Sequence, residues 1–192
     1  MCSSDLEETK SEVIKLDIGC GKNKKEGFIG IDQYAMDGVD VVMDVRQTWN
    51  YEDNSVDEIH CSHFIEHLTA NERVKFFNEL HRVLKPGAKA TIITPHWASN
   101  RAYGDPTHMW PPVSEMMFYY LSQEWRDTQA PHTDFKWNPE GFTCDLEATW
   151  GYGINPAIST RNQEFQMFAM QNYKEACTDT IATVTKKVPK NV

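Results

Sequence analysis

Several features that mark other protein classes are missing from this 192-residue chain. No stretch approaches the run of about 18 apolar residues that indicates a transmembrane helix, and residues 1–12 are too polar for a secretory signal peptide. The five cysteines are odd in number and include no C-x-x-C pair, which argues against a disulfide framework. We therefore expect free thiols in a cytoplasmic protein with no membrane segment.

An excess of positive charge is absent as well. The chain has 19 Lys and Arg against 28 Asp and Glu, which gives a formal net charge of -9 at pH 7. Binding to a nucleic-acid backbone needs clustered cations, so this balance disfavours nucleic acid as the main partner. The lysines at 22–25 and 186–190 are more simply explained as solvated surface. With 40% hydrophobic residues and no repeat or linker, residues 1–192 are expected to form one domain.

The most informative segment that is present is a glycine turn, Leu16-Asp17-Ile18-Gly19-Cys20-Gly21. It closes an apolar run at 13–18, and a second run at 28–31 follows and ends on Asp32. A turn that brings bare backbone up to a ligand, with a carboxylate at the next strand end, is how an open α/β sheet holds a nucleoside-bearing cofactor. The simpler alternative is a turn that only joins two strands.

The turn does not match a dinucleotide site. Gly19-Cys20-Gly21 gives only the first half of G-x-G-x-x-G, and five residues, 22–26, separate it from Gly27. So short a segment cannot form a crossover helix, and a pyrophosphate would lack the helix N-terminus that normally receives it. The pattern favours a ligand with one carboxylate and no phosphates.

The remaining pattern predicts an α/β protein with a mostly parallel sheet, because short β-branched runs alternate with a helix and short connections. Asn71 is the expected helix cap, and Pro86-Gly87 the expected stop, of a helix with apolar residues at helical spacing. The predicted strands are 13–18, 28–31, 39–43, 56–62, 88–94, 143–152 and 179–185, and the predicted helices are 71–84, 115–121 (capped by Ser114) and 161–173.

A long aromatic segment, residues 97–142, interrupts this alternation. A connection of that length inside a compact domain is usually functional or folded in its own right. Its aromatic residues could form the core of a lid, or line a pocket for a planar or cationic ligand. They are Trp97, Tyr103, Trp110, Phe118, Tyr119, Tyr120, Trp125, Phe135 and Trp137.

Together these segments resemble class I S-adenosylmethionine-dependent methyltransferases of the small methyltransferase-domain type. The resemblance covers 13–95 well and the remainder loosely, and its specific parts are the glycine turn, Asp32, Asp44 and the segments 53–68 and 80–87. It implies a Rossmann-like α/β fold with a mostly parallel seven-stranded sheet, in which strand seven is antiparallel beside strand five. It also implies a cofactor-binding core at 13–95, a substrate-side insert or cap at 96–142, and C-terminal strands and a helix at 143–192, with that helix completing the cap.

The resemblance implies S-adenosyl-L-methionine as cofactor. The turn 17–21 would hold its methionine portion, Asp32 its ribose hydroxyls, and Asp44 with the Val45 amide its adenine. Each acid could instead be only a strand-end turn former. The cofactor-binding residues expected on this basis are Asp17, Gly19, Cys20, Gly21, Asp32, Asp44, Val45, Cys61, Ser62 and His63.

Candidate catalytic residues follow strands four and five, where an open α/β sheet binds ligands. His63 follows strand four, His96 follows strand five, and Asp105 and His108 belong to an Asp-Pro-Thr-His element that resembles one found after strand five in some predicted methyltransferases. His108 is the expected general base, although each histidine could instead be structural. His63 and His67 could ligate a metal if helical, but no third ligand is evident, so no metal is expected.

These observations favour a methyltransferase that transfers a methyl group to an oxygen or nitrogen of a small or medium-sized acceptor by in-line displacement. Nucleic acid and membrane are not the expected partners, and the oligomeric state is open. Three alternatives stay open: a methyltransferase for nucleic acid or protein, a cofactor-binding module without transfer activity, and the same fold with other chemistry on a nucleoside.

Overall fold

The computed structural model describes residues 12–133 and 140–189. Within these ranges the chain forms seven strands: β1 (Lys15–Ile18), β2 (Ile29–Asp32), β3 (Val41–Val42), β4 (Val56–Ser62), β5 (Leu84–Pro95), β6 (Leu146–Ile154) and β7 (Cys177–Lys186). They make one sheet in the order β3-β2-β1-β4-β5-β7-β6.

The first five strands are parallel to one another, and β7 is antiparallel to both β5 and β6. The predicted sheet, with strand seven inserted beside strand five, is confirmed. The strand order reverses at β1, whose Ile18 pairs with Ile31 of β2 on one side and Cys61 of β4 on the other. Loops after β1, β2, β4 and β5 therefore meet at one edge of the sheet, where such folds bind ligands.

Six helices are described, and most are short. They are α1 (Ala70–Val83), α2 (Arg101–Gly104), α3 (Glu115–Tyr119), α4 (Gln123–Gln129), α5 (Pro156–Ser159) and α6 (Gln163–Asn172), with a 3-10 turn at Ile65–His67. The connection from β1 to β2 contains no helix, as its length predicted. The described residues contain no helix that is long and apolar enough to cross a membrane.

Helix α1 begins one residue earlier than predicted and has a different cap. The Thr69 hydroxyl accepts from the Glu72 amide at 3.4 Å, and the Glu72 carboxylate accepts from the Thr69 amide at 2.8 Å, which is a complete capping box. Asn71 lies exposed within the first turn, so its prediction as cap was wrong. The apolar face of the helix is buried as its spacing predicted, through Val74, Phe76, Phe77, Leu80 and Val83.

Pro86-Gly87 lies inside β5 and not in a turn between helix and strand. Helix α1 passes directly into β5 at Leu84, and the register against β4 shifts between Val56 and Glu58. This irregularity accommodates the proline, which has no amide to donate, and Gly87, whose φ is 82°. The predicted start of the fifth strand at 88 was therefore four residues late.

Four aromatic residues of the insert pack together against β6. Tyr119 and Tyr120 both contact Trp125, and Phe118 and Tyr119 contact Trp150, with ring centroids 4.7–6.2 Å apart. Such contacts favour the lid-core interpretation for this part of the insert. Trp97, Tyr103 and Trp110 are exposed, and the aromatic residues at 135 and 137 lie outside the described residues.

Candidate functional site

The glycine turn after β1 is fixed by a buried carboxylate. Asp17 is 2% exposed, and its two oxygens contact His60 Nδ1 on β4 at 2.7 Å and the Lys25 amide at 2.7 Å. A buried charge is stable only when it is paired and hydrogen-bonded, and both oxygens meet that requirement. Asp17 therefore fixes the loop that follows β1. Its partner is His60, to which the sequence analysis assigned no role.

Gly19 lies against the ring of Phe64. Its φ is 67°, and a Cβ there would lie 2.4 Å from Phe64 Cδ2, so neither the backbone conformation nor the space admits a side chain. The Gly19 and Cys20 amides both donate to the Ile31 carbonyl, at 2.8 and 3.2 Å. These bonds tie the turn to the end of β2, and burial raises the pKa of the Cys20 thiol.

Asp32 ends β2 and faces the turn. One carboxylate oxygen accepts from the Gly21 amide at 3.1 Å and the other from the Tyr34 amide at 3.1 Å. A carboxylate has about four acceptor positions, so each oxygen retains one for a further donor. Two free acceptor positions on one carboxylate match two adjacent hydroxyl groups such as those of a ribose.

Asp44 follows β3 and is paired with Arg46. The guanidinium Nε and Nη2 lie 2.8 and 3.0 Å from the two carboxylate oxygens, and this bidentate hydrogen bonding holds the pKa of Asp44 below its usual range. The Val45 amide makes no hydrogen bond to any residue in 12–133 or 140–189. The pairing with Arg46 was not evident from the sequence.

These groups surround a small cavity of about 80 Å³, which we name the carboxylate cavity. Its lining includes four of the residues predicted to bind the cofactor, Gly19, Asp32, Asp44 and Val45. The other lining residues are Ile31, Gln33, Met43, Arg46, Phe64, His67 and Leu68. Cys61 and Ser62 are at the end of β4, outside this lining, and Cys61 is buried, which raises its thiol pKa well above the usual value.

A second and larger cavity, the histidine cavity, measures about 650 Å³ and opens beside the first. His67 lines both cavities, so they meet at the 3-10 turn that follows β4. The predicted residues His63, Asp105 and His108 line the histidine cavity together with Glu66, Pro95, Arg101, Gly104 and Pro106. The fold thus brings three of the four candidate catalytic residues to one place.

His63 and His108 have different surroundings. His63, with φ at 52°, points Nδ1 at Glu66 Oε1 (3.4 Å) and Nε2 at Asp179 Oδ1 (3.7 Å). His108 Nδ1 lies 3.2 Å from the Ala102 carbonyl, which can only accept a hydrogen bond. Nδ1 therefore carries the proton in the neutral ring, and Nε2 has the lone pair. Asp105 accepts from the Thr107 hydroxyl, which lowers the pKa of the carboxyl.

His96 lies elsewhere. It is 3% exposed, its Nε2 contacts Glu115 at 3.0 Å, and its Nδ1 accepts from the Ala98 amide at 3.2 Å. Burial opposes the ionisation of Glu115, yet the bond from His96 leaves the Glu115 pKa below its usual value. Both ring nitrogens of His96 are engaged, and it lines neither cavity. The placement of His96 beside the acceptor stays a prediction, and in this structure its ring turns inward to join β5 to the insert.

Comparison with known proteins finds a methyltransferase domain within this chain. Residues 22–92, which begin directly after the glycine turn and end within β5, match the family model described as "Methyltransferase domain". This match identifies a methyltransferase domain in that part of the chain and, with the seven-stranded sheet, supports a class I S-adenosylmethionine-dependent methyltransferase. No curated protein matches the chain significantly. A methyltransferase domain implies S-adenosylmethionine as the cofactor, and the spare acceptor positions of Asp32 fit its ribose.

Solved methyltransferases share the fold of this chain. A SAM-dependent methyltransferase from Archaeoglobus fulgidus is 19% identical with a TM-score of 0.57, over 92% of this chain and 87% of that chain. One from Methanosarcina mazei is 16% identical with a TM-score of 0.54, over 94% and 95%. Geranyl diphosphate C-methyltransferase from Streptomyces coelicolor A3(2), in complex with Mg²⁺, geranyl diphosphate and S-adenosyl-L-homocysteine, is 14% identical with a TM-score of 0.52, over 93% and 72%.

Proposed function

We propose that this methyltransferase transfers the methyl group of S-adenosylmethionine to an oxygen or nitrogen of a small or medium-sized acceptor bound in the histidine cavity. The observation that carries the proposal is the shared wall of the two cavities at His67. Methyl transfer is an in-line displacement at carbon, so the acceptor atom, the methyl group and the sulfur must be held in one line. Adjoining cavities for cofactor and acceptor are what that alignment requires.

The carboxylate cavity supplies the cofactor contacts in this proposal. Asp32 accepts from both ribose hydroxyls, the Val45 amide donates to an adenine nitrogen, and Asp44 accepts from the adenine amine. The backbone of residues 19–21 holds the methionine portion, and Asp17 acts through the loop that it fixes. The end of β4, through Cys61, Ser62 and His63, borders the methionine side.

Arg46 is expected to move when the cofactor binds. The carboxylate cavity is far smaller than the 300–1,000 Å³ or so of ordinary ligand pockets, and Arg46 both lines it and occupies the Asp44 carboxylate. Release of Arg46 would open the cavity and free Asp44 for the adenine amine. Arg46 is 42% exposed, so its side chain can turn into solvent.

The acceptor proton is assigned to an imidazole of the histidine cavity. A hydroxyl or ammonium acceptor must lose a proton as the methyl group arrives, and a nearby imidazole with a free lone pair can take it. His63 and His108 are the two candidates, with Asp105, whose Oδ2 is 3.9 Å from His108 Nε2, as the neighbouring carboxylate. In this proposal His96 is structural.

The wider organisation follows from the same assignment. Residues 13–95 form the cofactor-binding core, 96–142 the substrate-side insert, and 143–192 the strands and helix that complete the domain. Helix α6 contributes no residue to either cavity, so the acceptor wall comes from the insert together with the end of the core at His63, Glu66, His67 and Pro95. We place the enzyme in the cytoplasm, a compartment that fits its four described cysteines, all of them free thiols.

A turnover assay tests this function. The purified protein is incubated with S-adenosylmethionine and, separately, with pools of small hydroxyl and amine acceptors, RNA or protein, and S-adenosylhomocysteine is measured. We expect turnover with a small-molecule pool. Replacing the base, which is His63 or His108, by alanine should lower the turnover rate about 10²–10⁴-fold at unchanged cofactor affinity. His132→Ala, an exposed histidine outside both cavities, is the control. Turnover only on RNA or protein would contradict the acceptor class, and cofactor binding without any turnover would favour a binding module.

A further inference from the structure

Three potential metal ligands converge in the histidine cavity. Glu66, His67 and His108 each present one ligand atom, and these atoms all lie within 4.8 Å of one another. Glu66 and His67 belong to the 3-10 turn after β4, whereas His108 comes from the Asp-Pro-Thr-His element about 40 residues later. The sequence suggested only His63 with His67, and the backbone at His63 breaks that helical spacing. His108 is the missing partner.

The two chain segments that carry these ligands are fastened together. The Met109 amide donates to the Glu66 carbonyl at 2.8 Å. The buried Arg73 guanidinium donates to the carbonyls of Ile65 (3.0 Å), Met109 (3.2 Å) and Pro111 (2.6 Å). The relative position of the ligands therefore depends on α1, which carries Arg73, and not on a mobile loop contact.

Both histidines are held in the tautomer that binds metals. The Thr107 hydroxyl lies 2.7 Å from Asp105 Oδ1 and 3.0 Å from His67 Nδ1. Its single proton goes to the carboxylate, so it accepts from His67 Nδ1–H and leaves the Nε2 lone pair free. The Ala102 carbonyl has the same effect on His108. A hydrogen bond from the second ring nitrogen to a carbonyl or carboxylate-linked group is the usual support of a metal-bound histidine.

The third ligand is a buried carboxylate that the protein leaves incompletely satisfied. Glu66 is 4% exposed, and its Oε1 has no hydrogen-bond partner among the described residues. Oε2 accepts only a long bond, 3.3 Å, from Thr94. The basic groups that face it are His63, 3.4 Å from Oε1, and Arg73, whose donors are directed to main-chain carbonyls. A buried carboxylate with an unused oxygen is an acceptor suited to a cation.

We propose that Glu66, His67 and His108 bind one divalent transition-metal ion in the histidine cavity. Two imidazoles and one carboxylate form a donor set that suits Zn²⁺ and its neighbours better than Mg²⁺ or Ca²⁺, which prefer oxygen ligands. Tetrahedral Zn²⁺ places its ligand atoms about 3.4 Å apart, so binding draws the three side chains slightly closer. Three protein ligands leave a coordination position open to the cavity.

The ion would act on the acceptor, and this part rests on the proposed function. An acceptor hydroxyl or amine bound at the open position loses its proton more readily because the metal lowers its pKa. His108 is then a ligand, and the proton passes to His63, the remaining imidazole of the cavity. The metal thereby decides between the two candidate bases.

Cobalt titration of the metal-stripped protein tests the site directly. Co²⁺ in a low-symmetry nitrogen and oxygen site absorbs visible light, so binding is measured without any acceptor. We expect one Co²⁺ per chain, displaced by Zn²⁺, for wild type and for the control His132→Ala. Glu66→Gln and His108→Ala should lose the absorption, and Thr107→Val should weaken binding about 10–100-fold through His67.

Two results would overturn the proposal. One is the absence of stoichiometric Co²⁺ or Zn²⁺ binding by folded wild type, and the other is binding by Glu66→Gln and His108→Ala that equals binding by wild type. Titration of the same samples with S-adenosylhomocysteine separates this failure from failure of the proposed function. Cofactor binding with turnover but no metal site would reject the ion alone. A metal site without turnover on any small acceptor would instead reject the acceptor assignment.

Discussion

Single residues at the strand ends carry most of the proposed binding chemistry, and each has a partner that determines its availability. Asp17 is fully engaged by His60 and Lys25, Asp32 is half engaged by backbone amides, and Asp44 is engaged by Arg46. Their positions at or near strand ends identify these acids in the sequence as candidate binding residues. It does not reveal which carboxylate is free, because the partners lie 2 to 43 residues away along the chain.

Arg46 should compete with the cofactor for Asp44. We expect Arg46→Ala to bind S-adenosylhomocysteine at least as tightly as wild type, because the ion pair no longer has to break. Asp44→Ala should bind about 10–100-fold more weakly, since it loses a hydrogen bond to a charged acceptor. Isothermal titration measures both, and weaker binding by Arg46→Ala would show that the arginine contacts the cofactor.

The residues that the sequence missed share one property, which is that their role depends on distant neighbours. Arg73 looks like an ordinary helix residue and is in fact buried against three carbonyls. Glu66 and His67 belong to a recognisable segment after strand four, but only the fold brings His108 to them. Conversely, His96 follows a strand like His63 does, and only packing turns it inward.

Whole elements were more predictable than single contacts. The periodicity of α1 and the β-branched runs of the sheet depend on local patterns, so their existence and order could be predicted. The short helices α2, α4 and α5 carry no comparable periodicity and were missed. The early start of β5 depends on its register against β4, which no local pattern contains.

The cap of α1 gives a sharp test at this scale. Thr69→Ala removes the hydroxyl that accepts from the Glu72 amide and should destabilise the protein by about 1 kcal/mol. Asn71→Ala is the matched control and should be neutral or slightly stabilising, because alanine is the better helix former and the asparagine side chain is exposed. Urea unfolding of the two variants measures the difference, and the reverse order would restore Asn71 as the cap.

At the scale of the whole molecule, ion pairs make the acidic protein sensitive to low pH. Side-chain bonds from Lys24 to Asp40, Arg46 to Asp44 and Lys85 to Asp57 each hold the carboxyl pKa below its usual value. A carboxyl whose pKa is lower in the folded state stabilises that state above its unfolded pKa, near 4, and loses this contribution as pH falls through the folded value.

The urea midpoint should therefore fall as the pH drops from neutral to below about 4. Asp57→Asn should reduce this dependence, because Asp57 accepts from both Lys85 and the Ile14 amide and so joins the start of β1 to β4. Asp37→Asn, an exposed turn residue, is the control. A pH dependence unchanged by Asp57→Asn would mean that the stabilising carboxylates lie elsewhere.

The central claim is that this protein binds S-adenosylmethionine in the carboxylate cavity through Asp32. The most direct measurement is calorimetric titration with S-adenosylmethionine and S-adenosylhomocysteine of wild type, Asp32→Ala, Asp32→Asn and the control Asp37→Ala, each shown to be folded. We predict binding by wild type and the control, and a loss of about 100-fold or more in both Asp32 variants, because two hydrogen bonds to a charged acceptor disappear. Equal binding by the folded Asp32 variants, or no binding by wild type, would contradict the account.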